Sequence, residues 1–122
     1  PEFSTFGQTM LTTAEESTFM SHMSCLNDAE PVLELMGQIV PGQDYGLGQL
    51  PNARFKGGWG PSDSGGYEGR QMGLVSNTDG QSVALALTVV PADGSYQTGQ
   101  AMANAVAEQL RSRLDQLPIS EC

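Results

Sequence analysis

Basic residues are scarce in this chain. Five Lys and Arg (Arg54, Lys56, Arg70, Arg111 and Arg113) stand against fourteen Asp and Glu, a formal net charge of −9 over 122 residues. That balance repels phosphate backbones and anionic headgroups, which argues against nucleic acid as a partner. It suits a cationic partner and it also serves solubility. Histidine occurs once, at His22, and cysteine twice, at Cys25 and Cys122, too few soft ligands for a closed structural metal site. No stretch approaches the roughly 20 apolar residues of a transmembrane helix. The sequence has no Walker loop, no Gly-x-Gly-x-x-Gly, no paired Cys-x-x-Cys and no glycosylation acceptor, so no cofactor is implied.

The two cysteines are an even count, and one is the last residue. They are expected to pair, in an oxidising compartment, so the protein is read as exported, periplasmic or secreted. The alternative is a pair of free thiols. The chain begins with neither Met nor a signal peptide. Pro1-Glu2-Phe3 reads as a vector remnant, because Glu-Phe is what an in-frame EcoRI site encodes. Residues 4–122 are then one domain, an excised mature region whose leader or anchor lies outside it.

What the chain has in quantity is glycine, fifteen residues, with seven prolines, and these punctuate its elements. Thr13 and Glu16 have capping-box spacing, and Phe19, Met23 and Leu26 follow at i, i+4, i+7, one face of a helix. Asn27 and Glu30 repeat that spacing, with Pro31 suited to a first turn. Val32, Leu35, Met36 and Ile39 form the apolar stripe of a second helix, stopped by Pro41-Gly42. Residues 41–52 read as loop. Strands are expected at 54–56, 71–76 and 82–90, the last with Val83, Leu85, Leu87 and Val89 on one face. Residues 57–66 read as a glycine-rich turn region holding Trp59, and Asn77-Thr78-Asp79-Gly80 as a hairpin turn. Ser95 caps a last helix over 96–117, with Met102, Ala105, Val106, Leu110, Leu114 and Leu117 on its buried side. The fold class is α+β, in the order α-α-β-β-β-α. A three-stranded antiparallel meander carries a long C-terminal helix on one face, and two N-terminal helices brace its edge or its other face.

Few residues offer chemistry. Ser62-Asp63-Ser64-Gly65-Gly66 resembles the signature around the nucleophile of chymotrypsin-like serine proteases. It departs at its first residue, and that fold needs about twice this chain with a His and an Asp upstream. Met20, His22, Met23 and Cys25, with Met10 from the lead, are the soft ligands that suit Cu(I), but helical spacing splits them into two pairs. A Cys25–His22 nucleophile and base lacks an orienting third group, and a disulfide would remove the thiolate. Asp63 and Glu68 flank the glycine turn without the spacing of a calcium loop.

The segment Lys56 to Tyr67 remains, where Trp59 and Tyr67 sit among glycines. Such rings are either folded down as a lid on the core or exposed as a binding anchor. The functional expectation is a non-enzymatic protein-binding module recognising another protein, a basic one where charge guides the choice. Trp59 is its anchor and Tyr67 its support, with Lys56, Asp63 and Glu68 around them. A small-ligand or soft-metal domain is the second reading, and a hydrolase resting on the Ser62 to Gly66 match alone the third.

Overall fold

The computed structural model describes residues 9–63 and 65–122. Its order is α1 (Thr13–Met23), α2 (Glu30–Met36), a 3-10 turn (Gly46–Gln49), β1 (Arg54–Pro61), β2 (Tyr67–Ser76), β3 (Ser82–Val89), α3 (Tyr96–Arg111) and a second 3-10 turn (Leu114–Gln116). The strands form an antiparallel sheet in the order β1-β2-β3. This is the expected α+β meander, and the N-terminal helices lie across its other face.

Strand alternation divides the sheet's side chains between two cores. Phe55, Val75 and the four apolar residues of β3 (Val83, Leu85, Leu87, Val89) meet Leu47, Leu50, Ala103, Ala107 and Leu114 beneath α3 and the first 3-10 turn. On the opposite face Leu74, with Met72 and Ala84 beside it, meets Met20, Met23, Ala29 and Leu33 of the N-terminal segments. Ala84, on the second face of β3, is thus covered by helix. Cys25 and Cys122 form the expected disulfide, with Cα atoms 5.3 Å apart. It ties the end of α1 to the chain terminus, which also bonds to the edge of β3 through Ser120 N–H and Ser82 O, 2.7 Å.

Several expectations move by one residue or more. The capping box is Thr12 with Glu15, not Thr13 with Glu16: Glu15 N–H donates to Thr12 Oγ1 at 3.1 Å and Thr12 N–H to Glu15 Oε2 at 2.7 Å. Glu16 is thereby released to the sheet side of α1, where it is buried with Met20 and Met23, and Phe19 and Leu26 are exposed. Helix α2 has Ala29 rather than Asn27 at its N-cap, with no side-chain cap. It buries Leu33, and leaves Val32 and Leu35 exposed with Met36 and Ile39 half-buried. Helix α3 turns Gly99, Ala103 and Ala107 inward, while Met102 and Val106 are exposed. Only small residues fit there, since a Cβ on Gly99 would lie 2.8 Å from the Trp59 ring. The helix ends at Arg111, so Leu114 and Leu117 cover the core from the following 3-10 turn and tail.

The largest correction is at residues 57–66. Strand β1 continues through the glycines to Pro61, opposite Tyr67 in β2, so Trp59 is a strand residue and not part of a turn. Glycine is poor at holding a strand. Here β1 lies at the sheet's edge and is carried by the ladder to the richer β2.

Candidate functional site

The aromatic side chains converge at one end of the β1–β2 hairpin. Trp59 and Tyr67 lie on the α3 face of the sheet and stack, with ring centroids 5.4 Å apart and planes 4° from parallel. Tyr96, in the first turn of α3, meets the indole edge-to-face at 4.6 Å. Tyr45, just before the first 3-10 turn, meets Tyr96 at 5.9 Å and 89°.

Three of these rings are placed by specific contacts. Trp59 lies where a Cβ on Gly69 or Gly99 would come within 3.0 Å of its ring, so missing side chains on β2 and α3 make its seat. Tyr96 is set by the Ser95 cap, whose Oγ accepts from Thr98 N–H at 3.1 Å. Asp93 also accepts from Ser95 N–H at 2.9 Å. Tyr45 is fixed through the buried Gln71, which accepts from Leu47 N–H at 2.8 Å and donates to Tyr45 O at 3.0 Å.

The indole is half-buried, packed beneath and open above, and Tyr67 is 46% exposed. Trp59 is a ring seated on the fold that also lines open space. Two clefts of about 370 Å³ each adjoin it. One is walled by Gln43, Tyr45, Gly57, Gly58, Trp59 and Tyr96. The other lies around Leu11, Glu16, Trp59, Asp63, Glu68 and Arg70. A third, of about 400 Å³, runs from the first beside Tyr45 to Val32, Leu35 and Val40.

The remaining expected site residues are distributed by strand parity. Lys56 and Glu68 project on the α1–α2 face, away from the Trp59–Tyr67 stack, and Asp63 lies exposed in the turn. Lys56 Nζ donates to the Gly57 carbonyl. Glu68 is engaged by Arg70 Nε at 3.1 Å. Arg70 Nη1 also donates to Leu11 O at 2.7 Å and pairs with Glu16 at 3.2 Å. Burial pulls the Arg70 pKa down, but hydrogen bonds to Glu16 and Glu68 outweigh it and the net direction is up. Glu16 Oε2 is buried with no hydrogen-bond partner among the described residues. Burial, together with the neighbouring Tyr96 phenol, pushes Tyr45 up to about 12, so it stays neutral at any physiological pH.

Sequence reasoning missed Tyr45, Tyr96, Arg70 and Glu16. Tyr45 carries the signal that marked Trp59, an aromatic beside glycine in a loop. Tyr96, Arg70 and Glu16 have no local mark, because their roles arise from contacts across the chain.

The soft-ligand set does not assemble. Met20 and Met23 are core residues, Cys25 is in the disulfide, and His22 is exposed on α1 with Nδ1 3.0 Å from Thr18 O. Among the described residues no group of three His, Cys, Asp or Glu could hold a metal ion, and no helix is long and apolar enough to cross a membrane. Ser64, the residue of the protease-like pentapeptide, lies outside the described residues, as do Pro1, Glu2 and Phe3. No protein-family model matches the chain, and no curated protein matches it.

Proposed function

We propose that this protein is a non-enzymatic binding module of an exported compartment, periplasmic or secreted, and that it recognises a partner protein through the aromatic end of the β1–β2 hairpin. The observation that carries this reading is the gathering of Trp59, Tyr67, Tyr96 and Tyr45 into one chain of ring contacts, in which Tyr45, Trp59 and Tyr96 wall an open cleft. Aromatic residues dominate the binding energy of protein interfaces, and they do so best when rigidly seated. Trp59 is seated on β2 and α3, so little ordering remains to be done on association. The excess of acidic residues favours a basic partner and speeds encounter. The disulfide supports an oxidising compartment.

The test is affinity capture from the extracytoplasmic fraction of the source cells with the oxidised protein, and with Tyr67→Ala and Trp59→Ala in parallel. Tyr67 is the more discriminating position, since its ring is half-exposed and its loss disturbs the core least. Each truncation is expected to weaken the captured complex by about 2 kcal/mol, some 30-fold. Equal capture by both variants and the wild type overturns the assignment.

A further inference from the structure

The free edge of β1 deepens the binding-module reading, on which its assignment rests. Ser62 N–H donates to Gly66 O at 2.7 Å, in register with the β1–β2 ladder. Antiparallel pairs alternate between bonded and non-bonded. Residues 54, 56, 58 and 60 therefore bond to β2, and the N–H and C=O of Phe55, Gly57 and Trp59 point away from the sheet. No other strand among the described residues covers them.

Two glycines at this edge have no structural need to be glycine. Neither Gly57 nor Gly58 has positive φ. A Cβ on Gly57 would meet nothing closer than 3.8 Å, and one on Gly58 nothing within 4 Å. In Gly69, Gly73 and Gly99, by contrast, a Cβ would crowd a neighbour. A bare strand edge that packing does not demand leaves room for another backbone. The missing side chain of Gly57 also opens the cleft between Tyr45, Trp59 and Tyr96.

Charge decides what could occupy it. Among the described residues no Lys or Arg lines that cleft, and Asp44 adjoins it in sequence between Gln43 and Tyr45. Asp93 stands three residues before Tyr96, its pKa lowered by hydrogen bonds from Thr98 and Ser95. Two of the hairpin's cations are paired on the opposite face, Arg54 beside Glu30 and Arg70 between Glu16 and Glu68, and the third, Lys56, turns its ammonium onto the Gly57 carbonyl at the edge itself. Neutral aromatic walls in a negative surround attract a cation.

We infer that β1 accepts an extended basic segment of the partner protein as a fourth strand, with a Lys or Arg side chain opposite Gly57 held between Tyr45, Trp59 and Tyr96. The main-chain groups of Gly57 and Trp59 bond the added strand, and Lys56 Nζ leaves the Gly57 carbonyl to the incoming N–H. This is strand addition, in which the backbone supplies affinity and alternate side chains supply specificity.

The experiment selects a phage-displayed library of random nine-residue peptides against the oxidised protein. Expected is a consensus with Lys or Arg at one position and β-branched or aromatic residues at alternate ones. Binding of the selected peptide should slow amide exchange at Gly57 and Trp59, and Gly57→Leu should weaken it at least tenfold with its melting temperature kept. Absence of enrichment, an acidic or neutral consensus, or unchanged affinity of Gly57→Leu overturns the added strand. A dimer of the protein alone in sedimentation, dissolved by Gly57→Leu, would make a second copy the occupant and equally refute the basic segment. If the captured partner depends on Trp59 and Tyr67 but binds Gly57→Leu as it binds wild type, the inference fails and the binding-module reading stands. If nothing bound depends on either ring, both fail.

Discussion

Breaking the Cys25–Cys122 bond releases a closure across almost the whole chain, because the two residues are 97 apart in sequence. The native tail has other anchors, Ser120 bonding to Ser82 O and, through its hydroxyl, to Ser21 O. The folded state is therefore expected to survive the loss, and most of the effect falls on the unfolded chain, which gains the freedom to separate its ends. For a loop of this length the chain-entropy relation gives about 4.7 kcal/mol at 25 °C. Unfolding entropy for a chain of 122 residues is about 0.26 kcal/mol/K near 60 °C, so the melting temperature should fall by roughly 18 °C. The assay is urea unfolding of the Cys25→Ser/Cys122→Ser variant beside the oxidised wild type, followed by Trp59 fluorescence. The midpoint should drop, and the urea dependence should steepen as a more expanded unfolded state exposes more surface. A loss below about 1 kcal/mol, with fast exchange of the Ser120 amide in the variant, would show that the tail simply detaches and that the bond restrains the terminus alone. That outcome refutes the entropic argument.

Two further predictions concern the charged contacts. Arg70→Met leaves the buried Glu16 carboxylate without its cation; because Arg70 itself is partly exposed, the loss should be discounted from the buried-pair range to about 2 kcal/mol, with most of it recovered in Arg70→Met/Glu16→Leu. A denaturant titration in which the single variant loses less than about 0.5 kcal/mol would contradict this. Asp115 accepts from Thr78 N–H at 2.9 Å and Thr78 Oγ1 at 2.7 Å, and these bonds hold its pKa below the ordinary 3.8. The charge-dependent stabilisation is therefore present above that value and is lost as pH falls through the native pKa. Melting curves of wild type and Asp115→Asn should differ at about pH 6 and converge at low pH, and a constant difference would refute the linkage.

Short-range chemistry was legible in the sequence. The Asp79-Gly80 turn, the Ser95 cap and the alternation of β3 are each decided by neighbouring residues, and they appear where the pattern placed them. The cysteine pairing followed from the even count and the terminal placement of Cys122. Helix faces were less legible: Glu16 breaks the apolar pattern on the buried side of α1, and Gly99, Ala103 and Ala107 are too small to announce the buried side of α3.

The tertiary structure decided the rest. A glycine run has no strand propensity, so β1 from Gly57 to Pro61 exists only because β2 supplies a ladder. Trp59 is seated by the absence of side chains on Gly69 and Gly99, a property of two other elements that no local pattern at residue 59 contains. Tyr45 and Tyr96 reach it through a buried glutamine and a helix cap from elsewhere in the chain. Periodicity reports which way a residue faces within its own element, and only packing reports what it faces.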